Sequence, residues 1–283
     1  MEFQIRRIQV PNTTTWANIE PLSDIHVGSK FHDKTKFAEV IQRIKDDPSR
    51  YTFLMGDLFD ATLPDNKFYD QETQDPELPE LEDQFQYLLK ALLPIRHKIL
   101  GVHTGNHDER IRLRHFDNIV LRLVKELNRE WIDPALNAPK LETPIPYLGY
   151  MAITRLVFFR KFESGEEHID SSYDLFTWHG GYSGRRIGGN INNMEDIAAG
   201  WSADIYLSGH THQLGVNKRI KVAMDQYGKL QEIVKIFGIC GTFMRAYNDG
   251  TISYAEIKGY GPQRVGTLTV SIQPYERKLQ AHS

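Results

Sequence analysis

The sequence predicts an α/β (α+β) fold in which two packed mixed β-sheets form a sandwich flanked by helices. Three observations lead there. Strand-like runs alternate with segments of helical periodicity through most of the chain, while the second half is richer in strands. Five short polar clusters each stand at the end of an apolar run, from residue 24 to residue 212. Clusters from both halves must meet to act together, and no linker divides them, so residues 1–283 read as one domain.

The elements follow in order. Ile19–Ser23 is a short apolar run that ends at Asp24-Ile25-His26. Phe37, Val40, Ile41 and Ile44 recur at the spacing of one buried helix face. Tyr51–Met55 is a strand ending at Gly56-Asp57-Leu58-Phe59-Asp60. Residues 61–79 break the pattern with Pro64, Pro76 and Pro79 among acidic residues, and are expected to form a solvated excursion pointing away from any site. Leu81, Phe85, Leu88, Leu89 and Leu92 mark a helix that stops near Pro94. Lys98–Val102 is a strand delivering Gly105-Asn106-His107-Asp108, and Asp117–Leu127 is a helix.

Met151–Phe159 and Asp174–Trp178 are extended, the second ending at Trp178-His179-Gly180. Ile191, Met194, Ile197 and Ala198 fit a helix with Gly200 at its C-cap. Asp204–Leu207 leads to Gly209-His210-Thr211-His212. Glu232–Ile239 and Thr267–Ile272 are further strands, and residues 232–273 are expected to complete the second sheet.

The bulk properties exclude some functions. A net charge of -3 gives no global basic footprint for nucleic acid or an anionic membrane. Cys240 is the only cysteine, in an apolar run, and reads as a buried inert thiol. The amino terminus lacks the apolar core of a signal peptide and no apolar stretch is long enough to span a bilayer, so a cytoplasmic protein is expected.

A ligand at a strand end is held by a rigid element, and in open α/β sheets ligands gather at the carboxyl ends of strands. Gly56, Gly105 and Gly209 precede ligand-type residues, where the backbone must turn tightly or approach the site closely. Carboxylate, amide and imidazole together favour Mn, Fe, Zn or Ni over Ca.

The ordered set of Asp24-x-His26, Gly56-Asp57-x-x-Asp60, Gly105-Asn106-His107-Asp108, His179-Gly180 and Gly209-His210-x-His212 resembles the calcineurin-like metallophosphoesterase superfamily, over about residues 18–215. The resemblance implies that family's architecture and two divalent metal ions, with Mn foremost. It implies Asp24, His26 and His212 on one metal, Asn106, His179 and His210 on the other, and Asp57 bridging them. It also implies attack on phosphorus by a hydroxide held between the metals. His107 would protonate the leaving group, Asp108 would orient that imidazole, and Asp60 would fix the loop after the bridging aspartate. Ala61 and Asp108 stand where the protein-phosphatase branch has arginine and glutamate, which argues against a Ser/Thr protein phosphatase. The Gly-Asp-Leu-Phe-Asp wording resembles the nuclease and diesterase branches.

The implied substrate is a phosphodiester or phosphomonoester, of nucleotide or nucleic-acid type. The alternatives are a DNA or RNA nuclease of the repair exonuclease kind and a scaffold without chemistry. Arg110 and Arg185 are candidate phosphate contacts, and Gly184–Asn190 reads either as a phosphate cradle or as a loop leading to the next helix. Phe68, Tyr69 and Tyr182 are candidate stacking residues. His103 reads as a packed or supporting histidine. His32, His97, His115 and His168 read as surface or satisfied residues, and His282 as part of a disordered tail.

Overall fold

A computed structural model of the chain describes residues 1–61, 64, 69–132, 134–182, 184, 186–225 and 227–283. Arg185 and Phe68 therefore lie outside the described residues.

The strands are β1 (Glu2–Gln9), β2 (Ala17–Ile19), β3 (Arg50–Met55), β4 (Ile99–His103), β5 (Tyr147–Gly149), β6 (Met151–Lys161), β7 (Glu167–Trp178), β8 (Ile205–Ser208), β9 (Leu214–Met224), β10 (Leu230–Cys240), β11 (Thr269–Gln273) and β12 (Lys278–His282). They form two six-stranded sheets, ordered β1-β6-β7-β8-β10-β9 and β12-β11-β2-β3-β4-β5. The helices are α1 (Lys34–Asp46), α2 (Leu81–Leu92), α3 (Asn106–His115), α4 (Ile119–Leu127), α5 (Ile187–Gly200) and α6 (Tyr254–Lys258).

The alternation along β3 shows how the layers arise. Phe53 and Met55 enter the core between the sheets with Ile8, Leu156, Leu175, Leu207 and Ile236. Leu54 points the other way, into the core beneath α1, α2 and α4. In β10, Ile236 faces the other sheet while Phe237 and Ile239 face α5 through Met194 and Tyr206. The predicted sandwich flanked by helices is the observed architecture.

Four expectations change. Residues 232–273 do not complete one sheet: β10 lies in the first sheet, while β11 pairs antiparallel with β2 in the second. Val270 and Ile272 of β11 fill the inter-sheet core at the open side of β2. The carboxyl end is a strand rather than a disordered tail, since His282 pairs with Thr269. Gly200 is the last helical residue of α5, and Trp201 takes the C-cap.

The fourth is the excursion. Its described second half is stitched to the loop after β2 by Lys30 N–H to the Thr73 carbonyl and Asp75 N–H to the Gly28 carbonyl, both 2.9 Å. Asp75 is buried against Lys34 at 2.6 Å. Lys34 also pairs with Glu77 at 2.6 Å, so this half of the segment lies on the protein rather than pointing away. Among the described residues no helix is long and apolar enough to cross a membrane.

Candidate metal centre

β2, β3 and β4 run parallel in one sheet, and β7 and β8 run parallel in the other. Their carboxyl ends therefore open onto common ground, and the five polar clusters meet there. The second sheet contributes Asp24, His26, Asp57, Asn106 and His107. The first contributes His179, His210 and His212.

Glycines permit the approach. A Cβ on Gly105 would lie 2.2 Å from both the backbone nitrogen and Oδ1 of Asp57, and one on Gly209 would lie 2.1 Å from Ser23 Oγ. No side chain fits at either position.

Three groups of potential ligands result among the described residues, one of them His26, Asp60 and His107. Asp24, His26 and His212 offer atoms within 4.8 Å of one another, as do Asp57, His179 and His210. Asp57 Oδ2 stands between these last two groups, 3.2 Å from His179 Nε2 and 4.0 Å from His26 Nε2. Asn106 Oδ1 is 3.3 Å from His179 Nε2. All seven residues that the resemblance implies as ligands are thus in one place.

Their surroundings turn the imidazoles to the task. His179 Nδ1 donates to the Met55 carbonyl at 2.8 Å, and His26 Nδ1 lies 3.3 Å from Asp60 Oδ1. In each ring the partner on Nδ1 leaves Nε2 facing the cluster. Asp60 therefore supports His26 from behind.

The donor set fits divalent cations. Asp24 Oδ1 is buried without a hydrogen-bond partner, though His212 Nε2 lies 3.3 Å away. The nitrogens His26 Nε2 and His212 Nε2 face each other at 3.2 Å, a contact that two neutral acceptors cannot satisfy without a cation or proton between them. Electrostatics agree. Burial raises the Asp57 carboxyl, but His179, His107 and His26 outweigh it and hold it well below the usual range. Burial lowers His179, yet the Asp57 and Asp24 carboxylates win and push it up to about 10. The cluster draws in positive charge, as a metal site does.

His107 lies beside this cluster, its ring centroid 4.7 Å from that of His26. Its backbone N–H donates to Asp57 Oδ1 at 2.8 Å, and its Nδ1 donates to the Asp60 carbonyl. The expectation for Asp108 is corrected here. Its carboxylate accepts from the backbone N–H groups of Leu58, Phe59 and Gly105 at 2.9–3.3 Å, not from the His107 ring. Those donors belong to the tight turn after Asp57 and the start of α3, where they have no other buried acceptor. Burial, then the neighbouring Asp57 charge, lifts the Asp108 carboxyl to about 7. The Asp60 carbonyl orients His107 instead.

The sequence profile of the calcineurin-like phosphoesterase family matches residues 22–214, more than half of the chain. The chain belongs to this family. The comparison with curated proteins found no match. Among solved structures, it is similar to a conserved uncharacterised protein, a predicted phosphoesterase, from Streptococcus pneumoniae TIGR4, with 16% identity over 95% of this chain and 98% of that one (TM-score 0.34). It is also similar to Vps29 from Entamoeba histolytica complexed with zinc, with 11% identity over 94% and 97% (TM-score 0.37). Vps29 from Chaetomium thermophilum shares 10% identity over 94% of each chain (TM-score 0.37).

A cleft of about 770 Å³ opens over five of the seven candidate ligands, His26, Asp57, Asn106, His210 and His212. Arg110 and Tyr69 both line it. Tyr182 instead packs on Trp178 and bonds Ser208. Gly184 lines the cleft, but Gly188 and Gly189 are helical, and the Asn190 side chain ties Gly184 to Gln213. From Ile187 onward the stretch is helical, with Asn190 as a buried fastening, while Arg185 lies outside the described residues. His103 is buried between the Gly149 carbonyl and Thr177 Oγ1, a packed supporting residue.

Missed from sequence was the segment between β10 and β11, which supplies Arg245, Tyr254 and Tyr260 to the cleft. Its signal was present. Ser253 caps α6 by accepting from Glu256 N–H at 3.0 Å, and Gly259 follows in the left-handed conformation. Ser-x-x-Glu closed by glycine is the signature of a short helix.

Proposed function

We propose that this protein is a dinuclear-metal phosphoesterase acting on a small phosphodiester, with phosphomonoesters as poorer substrates. The observation that carries the reading is Asp57 Oδ2, within reach of His26 Nε2 on one side and His179 Nε2 on the other. Asp24, His26 and His212 would hold one ion and Asn106, His179 and His210 the other, with Asp57 shared. Bound there, two divalent ions activate water and neutralise phosphate charge. Mn fits a set of carboxylate, amide and imidazole donors without thiolate.

The chain's own residues do the rest. With Nδ1–H donating to the Asp60 carbonyl, His107 has Nε2 free to carry the second proton of an imidazolium, and delivering that proton to the leaving oxygen would leave the neutral ring. Arg110 draws the phosphate into the cleft and fixes its orientation. Asp108 keeps the Asp57 turn rigid, so that the carboxylate need not reorganise during reaction.

The diester preference rests on the Gly56–Asp60 motif and on the mixed charge of the cleft, where Asp60 and Asp70 accompany Arg110. The same mixture favours a small ester over a polynucleotide, which calls for a basic channel. The test is turnover of p-nitrophenyl phosphate and its bis-ester with added Mn, with and without a chelator. Chelator-sensitive hydrolysis, faster on the bis-ester, is expected. No turnover of either ester overturns the reading in favour of a scaffold.

A further inference from the structure

The cleft has a wall that this chemistry leaves unused. His26, Asp57, His107 and Arg110 line its ligand end, and the wall itself carries Tyr254, Ile257 and Tyr260. Tyr254 and Ile257 are 58% and 70% exposed, an apolar surface open to water on an inner face. The rings of Tyr254 and Tyr260 meet edge to face, 6.2 Å apart at 68°. A flat group can lie on one ring with its edge against the other. Lys258 Nζ, 5.6 Å from the Tyr254 ring centroid, adds a cation at this end.

The wall is fixed relative to the ligands. Phe243 N–H and Thr242 Oγ1 both donate to the Asp24 carbonyl at 3.0 Å. Arg245 N–H donates to the Phe31 carbonyl, and its guanidinium pairs with Asp33 at 2.8 Å. The Tyr247 hydroxyl donates to the Tyr260 carbonyl. Thr242 and Gly266 pair at the root, so the whole segment leaves and rejoins the fold at one point.

We infer that this wall is a subsite for the base of a nucleotide-sized phosphoester, stacked at Tyr254 and Tyr260 while its phosphate sits near His107 and Arg110. The inference rests on the phosphoesterase reading for where the phosphate lies. Size and chemistry choose the occupant. A volume of about 770 Å³ suits a small ligand, and an aromatic wall beyond an Arg-bearing polar end suits a base joined to a phosphate.

The test is calorimetric titration of the full chain, in buffer with Mn, using adenosine monophosphate and ribose phosphate. The nucleotide should bind about tenfold or more tightly than the sugar phosphate, the range of one stacked base. Tyr254→Ala and Tyr260→Ala should each remove most of that difference and leave ribose phosphate unchanged. Both rings reach the surface of the cleft, so neither change threatens the core. Equal affinities in the parent chain, no nucleotide binding, or a preference that survives both substitutions would overturn the subsite. Hydrolysis of the bis-ester by the parent chain is read separately, so the loss of either conclusion is visible without the other.

Discussion

At the candidate ligand positions the backbone itself is bent. Asp24, His26, Asp57, His210 and His212 all have φ between 48° and 70°, a left-handed conformation that non-glycine residues rarely take. Each such residue costs on the order of 1–3 kcal/mol, sustained by the surrounding fold. The hydrogen bonds that hold these turns are therefore points of failure. Asp108→Ala would strand the N–H groups of Leu58, Phe59 and Gly105, and should cost about 2–4 kcal/mol in urea unfolding and weaken Mn uptake. His107→Ala should keep the metals, read by elemental analysis, yet lose about 10²–10⁴ in turnover. Asp57→Ala should lose both. The candidate ligands were legible because each motif is contiguous in the chain, and the fold brings them together. The role of Asp108 was not, since two of its three partners, Leu58 and Phe59, lie about fifty residues away and are backbone groups with no sequence signature.

At the scale of elements, two buried charged or titratable groups fix how α1 meets its neighbours. Lys98 follows α2, yet its ammonium donates to the carbonyls of Ile44, Lys45 and Asp47 at the end of α1, at 2.5–3.0 Å. Lys98→Met should destabilise the protein by about 1–3 kcal/mol, measured by urea midpoint, because those carbonyls lose a buried donor. His32, just before α1, packs edge-on against Phe37 and Tyr87. Burial lowers its imidazole from 6.5 to about 4. The unfolded chain therefore protonates here first, so this contribution is intact above about 6.5 and is lost as pH falls towards 4. The chain should be about 2 kcal/mol less stable at pH 5 than at pH 7 from this residue, and His32→Phe should flatten that dependence. Helices α1, α2 and α4 were legible because each has one apolar face. Strands β1 and β9 were not, since Phe3, Ile5, Ile220, Val222 and Met224 turn their apolar side chains outward at the sheet edges.

For the whole molecule, ligands come from both sheets, so a metal centre here is also a clamp across the sandwich. An ion that binds only the folded chain raises stability with its concentration, by about 2.7 kcal/mol at a hundredfold excess over its Kd. Mn should raise the thermal midpoint, a chelator should reverse the shift, and His179→Ala should abolish it. The two-sheet architecture was legible from alternating periodicities, but the pairing of β11 with β2 was not, because register between distant strands leaves no local mark. The pairing of Thr242 with Gly266 has a consequence of another kind. This wall of the cleft is a loop whose two ends share a doorway, with β10 and β11 closed behind it. A change of length or composition between Thr242 and Gly266 can be absorbed there without redrawing either sheet, so this face of the cleft can be reshaped while the candidate metal centre stays in place.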